Sequence, residues 1–158
     1  MTARIATHND ASAIRVIYNQ GIAERIATFE TRLRTDEDIR NWFGGPHPVV
    51  VVERSGVVAG FAAAFPYRAR ECYSGIAEFS VYVERSHRGC GVGKTAIKAL
   101  IHAAAEAGFW KLLSRVFPEN LASRKLLSSA GFREVGIYRN HAKLDGNWRD
   151  VVIVEYLI

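Results

Sequence analysis

The 158 residues are 49% hydrophobic and 23% charged, ordinary proportions for a globular chain and enough to bury about 68–70% of the unfolded surface. The 21 basic residues exceed the 16 acidic ones to give a net charge of +5, but they are scattered. That argues for a solvated surface with a local anion site and against a nucleic-acid-binding tract.

The two cysteines, Cys72 and Cys90, form no C-x-x-C pair, so neither a zinc site nor a redox motif is expected, and a reduced, cytoplasmic setting is. No stretch approaches the roughly 18 apolar residues that cross a bilayer. The opening MTARIATHND has no apolar core of a secretory signal. Without repeats or low-complexity linkers, the expectation is one domain over residues 1–158.

Taken in chain order, Asp10 stands as the cap of a helix whose apolar positions are Ile14, Ile17, Tyr18 and Ile22. Thr35 caps a short second helix containing Ile39, Trp42 and Phe43, stopped by Gly44, Gly45, Pro46 and Pro48. PVVVVE reads as a buried strand, Arg54-Ser55-Gly56 as a hairpin turn and VVAGFAAAF as its partner. A polar loop over 66–74 carries Arg68, Arg70 and Tyr73. GIAEFSVYV (75–83) is a strand rich in β-branched and aromatic residues. Alternation places Ile76, Glu78, Ser80 and Tyr82 on one of its faces and Ala77, Phe79, Val81 and Val83 on the other.

A glycine loop then opens a helix with Val92, Ala96, Leu100, Ile101 and Ala104 in one stripe, ended by Gly108. FWKLLSRVF is a strand, PEN a turn, LASRKLLSS a helix closed by Gly131. FREVGIYR and DVVIVEYLI are the last strands, with Asp145-Gly146-Asn147 between them. The order predicts an α+β fold, a mixed and largely antiparallel central sheet flanked by helices.

The loop RGCGVGKT (Arg88 to Thr95) superficially matches a nucleotide-binding loop. Gly-x-x-x-x-Gly-Lys-Ser/Thr requires glycine at position 88, where Arg stands, and the alternating Gly89, Gly91 and Gly93 do not fit Gly-x-Gly-x-x-Gly. A strand, a tight glycine turn and a helix start still aim free N–H groups and about half a positive charge at one point, with Arg88 and Lys94 beside it. Such a site suits a diphosphate better than a triphosphate with Mg²⁺.

Arg88-Gly89-x-Gly91-x-Gly93 after an alternating strand, with Asn120-x-x-Ser123 ahead of Gly131-Phe132, resembles the acetyl-CoA site of the GCN5-related N-acetyltransferases (GNAT). ATFE at 27–30, AEFSVYV at 77–83 and KLDGNWRDV at 143–151 resemble the branch that acetylates phosphinothricin and methionine sulfoximine. HAKLDGNWRDVVIVE at 141–155 is similar to the arsinothricin N-acetyltransferases of that branch. The resemblance implies a GNAT fold and acetyl-CoA as co-substrate, with no metal.

The same resemblance implies that the amides of Arg88, Gly89, Cys90, Gly91, Val92, Gly93, Lys94 and Thr95 hold the CoA diphosphate. A splayed strand at Phe79, Val81, Tyr82 and Val83 pairs with pantetheine, and Asn120 and Ser123 lie near the thioester. It implies Glu78 as the base that takes the amine proton, with burial among apolar neighbours tuning the carboxyl. The other reading of Glu78 is a structural carboxylate paired with a nearby Arg.

Arg70 and Tyr73 are implied as acceptor contacts, and the Arg type suits a carboxylate. Phe29 and Glu30 are expected to wall the pocket, with His141 supplied by its rim or by a partner subunit. A homodimer is implied, with no nucleic acid and no membrane. Many members carry a Tyr where this chain has Leu127, so the general acid is unassigned. The expected activity is acetylation of the α-amino group of a small glutamate-like amino acid, a resistance function. The alternatives are another small amine or a protein N-terminus as acceptor, a CoA-binding sensor without catalysis, and a nucleotide-triphosphate enzyme.

Overall fold

Seven strands form one sheet in the computed structural model, which describes residues 1–158. The strands are β1 (Thr2–Ile5), β2 (Val49–Arg54), β3 (Val57–Pro66), β4 (Ile76–Val83), β5 (Lys111–Val116), β6 (Arg133–Leu144) and β7 (Asn147–Leu157), in the spatial order β1-β2-β3-β4-β5-β7-β6. All neighbours are antiparallel except β4 and β5. The helices are α1 (Ala11–Glu24), α2 (Asp36–Arg40), α3 (Val92–Glu106) and α4 (Leu121–Ser129).

The run of valines in β2 is buried on both faces because helices cover both. Val50 and Val52 join Phe79, Val92, Ile97, Leu100 and Leu127 in a core under α3 and α4. Val49 and Val51 join Ile14, Ile17, Ile22, Ile39 and Phe61 under α1 and α2. A third, smaller cluster of Phe117, Leu144, Val151 and Ile153 packs beneath Phe29. The sheet is thus the middle layer of three, as expected for α+β packing.

Several local expectations change. β1 was not foreseen; it pairs with β2 from Thr2↔Glu53 to Ile5↔Val50. Asp10 precedes α1 but its side chain makes no bond to that helix. Its carboxylate instead accepts from the Thr7 amide at 2.8 Å and from both Arg4 Nη atoms at 2.7 and 2.9 Å. The second helix stops at Arg40, so Trp42 and Phe43 lie just beyond it and still pack on the core. Thr35 does cap it, accepting from the Asp38 amide while Asp38 accepts from the Thr35 amide. β6 runs past Arg139 to Leu144, because a bulge between Tyr138 and Ala142 keeps it paired with β7.

The Arg4 guanidinium holds the Asp10 carboxyl below the usual carboxylate range, against the opposing effect of burial. A depressed folded value contributes stability above the unfolded value of about 3.9 and loses it as pH falls through the folded value. Asp10→Asn is therefore expected to lower the urea midpoint at pH 7. The gap to the parent narrows at pH 3 and closes at lower pH. A gap independent of pH contradicts this role.

Candidate active site

β3 and β4 pair from Pro66↔Ala77 to Gly60↔Val83. β4 and β5 pair only from Ile76↔Lys111 to Glu78↔Leu113 and then part. The Glu84 amide donates to the Ala59 carbonyl at 2.8 Å. In an antiparallel ladder that phase turns the backbone of even-numbered β4 residues toward β3 and of odd-numbered ones toward the gap. The Phe79 carbonyl there accepts from the Ser114 hydroxyl at 2.9 Å, and the Val83 carbonyl accepts from Arg88 Nε at 3.3 Å. Val81 and the amide of Val83 face the gap with no strand opposite. Backbone groups so placed require a partner, and an extended ligand bearing amides supplies one in the manner of an added strand. A cavity of about 800 Å³ fills the gap.

The glycine loop closes one end of this cavity. Glu84 starts it: the Ser86 hydroxyl, the Gln20 amide and the His87 ring hold its carboxyl down to about 2, which fixes the turn leading to Arg88. Gly91, at φ +85°, caps α3 without any side-chain bond. The first amide bonded within the helix is that of Thr95, to the Gly91 carbonyl at 3.1 Å. The amides of Val92, Gly93 and Lys94 are therefore the free donors of the helix start.

Gly93 permits a close approach: a Cβ there would stand 2.9 Å from Leu126 Cδ2 and 3.4 Å from Val83 Cγ2. The space over Gly89 is open, with nothing within 4 Å of a built Cβ. These features fit a diphosphate. The Arg88 guanidinium is already committed, donating to the Glu24 carboxylate through Nη1 and Nη2 at 2.8 Å each. Lys94 and Lys125 line the cavity.

Arg88, Gly89, Gly91, Val92, Gly93, Lys94, Phe79, Val81, Tyr82, Val83, Asn120 and Ser123 all line this one cavity, together with Glu78, Phe29 and Glu30. Cys90 and Thr95 belong to the loop but are not among the lining residues, and the Thr95 hydroxyl donates to the Gly91 carbonyl at 3.1 Å. Asn120 caps α4, accepting from the Ser123 amide at 3.1 Å and donating to the Ile26 carbonyl at 3.2 Å. Leu127 is buried in the core at the cavity wall, so α4 offers no phenol.

Glu78, Ser80 and Tyr82 point to the α1 and α2 side of the sheet, opposite the α3 and α4 face that carries Phe79 and Val83. Tyr82 packs against Tyr18 and Phe61 at ring distances of 5.1 and 5.6 Å, and burial pushes its phenol up. Phe29 meets Phe117 edge-on at 4.9 Å, and Glu30 is paired with Arg34 at 2.7 Å.

Arg70, Tyr73 and His141 lie outside the cavity lining. Arg70 is exposed before the single turn Glu71–Tyr73, Tyr73 packs on Tyr67, and His141 is exposed on β6 beside Tyr138.

Among the lining residues not singled out from the sequence, one is paired with Glu78. Arg115 of β5 donates to Glu78 through Nη2 at 2.7 Å and Nη1 at 3.3 Å, where the two strands begin to part. Alternation along KLLSRV does place Leu113 and Arg115 on one face, but only the register Glu78↔Leu113 brings that face beside Glu78.

The comparisons agree with this geometry. The Bacillus subtilis protein YwnH is 35% identical over 98% of this chain and 97% of its own. The L-methionine sulfoximine/L-methionine sulfone acetyltransferase of Salmonella typhimurium is 29% identical over 98% of this chain and 93% of its own. Among solved structures, a ribosomal-protein-alanine N-acetyltransferase from Brucella melitensis superimposes with a TM-score of 0.94 at 31% identity, covering all of both chains. A phosphinothricin acetyltransferase from Sinorhizobium meliloti, in complex with acetyl-CoA, superimposes with a TM-score of 0.90 at 26% identity, covering 99% of this chain and 88% of that one. Residues 17–132 match the acetyltransferase (GNAT) family. The parted strands, the glycine turn and these likenesses together show that the chain belongs to the GNAT acetyltransferases, with acetyl-CoA as acetyl donor.

Proposed function

We propose that the protein acetylates the α-amino group of a small glutamate-like amino acid of the phosphinothricin, methionine sulfoximine or arsinothricin kind, a detoxification activity in the cytoplasm. The observation that carries this reading is the position of Glu78. A half-buried carboxylate stands on the acceptor face where β4 and β5 part, in the same cavity as the glycine loop. The names of the Salmonella and Sinorhizobium relatives support the substrate class.

The diphosphate of acetyl-CoA binds the amides from Arg88 to Thr95. The pantetheine arm pairs with Val81 and Val83 and passes Asn120 and Ser123. Glu78 removes the ammonium proton directly or through one water, and the neutral nitrogen attacks the thioester carbonyl. The tetrahedral oxyanion is stabilised by a gap-facing β4 amide, that of Phe79 or Val81. Collapse re-forms the carbonyl and breaks the C–S bond, and the second proton of the attacking nitrogen passes to the departing sulfur, leaving a neutral amide and the CoA thiol. A thiol with an ordinary value of about 8.5 leaves without a dedicated acid, so Leu127 in the α4 position is tolerated.

Phe29 and Glu30 wall the acceptor pocket, while Arg70 and Tyr73, which lie outside the cavity lining, meet only the distal end of an acceptor that reaches past the cavity mouth. His141 is supplied by a second copy of the chain. A homodimer is supported by β6, a long edge strand with exposed Val135, Ile137 and Tyr138, and by exposed Trp148 on β7, since uncovered apolar edges invite pairing.

A panel of amines with acetyl-CoA, followed by thiol release, tests the reading. Turnover of phosphinothricin and methionine sulfoximine with silence on polyamines and peptides is expected. Turnover only of an alanine-starting peptide, the acceptor class suggested by the Brucella structure's name, or only of polyamines, overturns it. Binding of acetyl-CoA with no turnover of any amine favours a sensor.

A further inference from the structure

We propose that Glu78 and Arg115 form a charge pair that reads an α-amino acid as a zwitterion, the guanidinium taking the substrate's α-carboxylate while Glu78 takes its ammonium. The inference rests on the acceptor class proposed above and names the residue that imposes it.

Arg115 and Glu78 both line the cavity, with side chains 37% and 25% exposed, and meet in a two-point contact at 2.7 and 3.3 Å. They lie on the acceptor face of the sheet, since Leu113, two residues before Arg115, packs in the cluster beneath Phe29. The other guanidinium in the lining, Arg88, is held by Glu24 and the Val83 carbonyl. Arg115 has no protein partner besides Glu78.

A partly desolvated ion pair resists losing one member, because the charge left behind has no counter-ion. A zwitterion avoids that cost. It brings an anion for Arg115 and a cation for Glu78, bonded to the same carbon, so one exchange satisfies all four charges. The planar fork of Arg115 matches a carboxylate in two-point geometry. Once the guanidinium has moved to the substrate, both Glu78 oxygens are free to accept the ammonium proton. A polyamine or a peptide N-terminus brings no α-carboxylate, leaves Arg115 on Glu78 and so leaves the base engaged. Selectivity for free amino acids then follows from the pair itself, while Arg70 and Tyr73 are left to the distal end of the substrate.

The test compares L-methionine sulfoximine with its α-carboxamide as acceptors for the full-length parent, Arg115→Gln and Arg115→Lys, with acetyl-CoA affinity measured for each. The parent is expected to prefer the acid by about 100-fold in kcat/KM, the scale of a lost charged two-point contact. Arg115→Gln is expected to bring the ratio to within about threefold, chiefly through KM for the acid, with unchanged acetyl-CoA affinity. Arg115→Lys keeps the charge without the fork and falls between.

Equal losses on acid and amide, which follow if Arg115 only orients Glu78, overturn the inference but leave the proposed activity standing. So does a parent without preference for the acid. If Arg115→Gln no longer binds acetyl-CoA, Arg115→Lys decides, and a parental ratio in that variant overturns the inference. A parent silent on both forms removes the acceptor class and the inference with it.

Discussion

Glu78→Gln is expected to lower kcat at neutral pH by about 10²–10⁴-fold, the contribution of a positioned general base, while leaving acetyl-CoA affinity unchanged. Gln preserves the volume and one acceptor oxygen but cannot hold the proton. The defect should shrink as pH rises, because the substrate's own amine, with an ordinary α-amino value of about 8 or above, supplies more neutral nucleophile without help. Steady-state rates from pH 6 to 9 read this directly. Rates equal to the parent across that range remove Glu78 from the chemistry and leave it as a structural partner of Arg115. A second readout separates the two roles: a merely structural carboxylate, once removed, lowers the thermal midpoint without a pH-dependent recovery of rate.

Gly91→Val is expected to raise the Kd for acetyl-CoA by about 100-fold or more, with turnover at saturating acetyl-CoA far less affected. Gly91 occupies φ +85° at the start of α3, a conformation in which a β-branched residue is an outlier. Relieving that strain tilts the free amides of Val92, Gly93 and Lys94 away from their common focus. Each hydrogen bond to a charged oxygen contributes about 1.5–3 kcal/mol, so losing one or two accounts for the predicted factor. Calorimetric titration of the variant reads it, and a cooperative thermal melt shows that the fold persists. An affinity within threefold of the parent means that the turn does not carry the diphosphate.

The parts of this molecule that local chemistry determines were readable in the sequence. Alternation in IAEFSVYV assigns Glu78 and Phe79 to opposite faces, and the cores on either side of the sheet bear that out. Thr35 with Asp38, and the glycines ending α3 and α4, acted as their residue types require. What escaped depends on long-range pairing. Thr2–Ile5 is a four-residue segment whose strand character comes from β2 beside it. Asp10 has the right residue type for a helix cap, but Arg4 from β1 claims its carboxylate. Arg115 reads locally as an ordinary solvated charge, because no spacing within β5 reveals that Glu78 is two positions away in a parallel neighbour. Arg88 shows the same limit. Its motif position placed positive charge beside the turn, and Glu24 at the end of α1 pairs with it.

The parting of β4 from β5 is the feature on which the cofactor site depends, and it too is a matter of register. Three paired residues and then divergence leave Val81 and the Val83 amide facing a cavity instead of a strand. A crystal structure with acetyl-CoA bound tests this most directly. The diphosphate oxygens should lie within about 3.2 Å of the amides of the glycine turn and the α3 start, with pantetheine amides on Val81 and Val83 and the thioester reaching toward Glu78. Diphosphate bound away from the turn, or β4 and β5 zipped together past Glu78 with the coenzyme elsewhere, contradicts it.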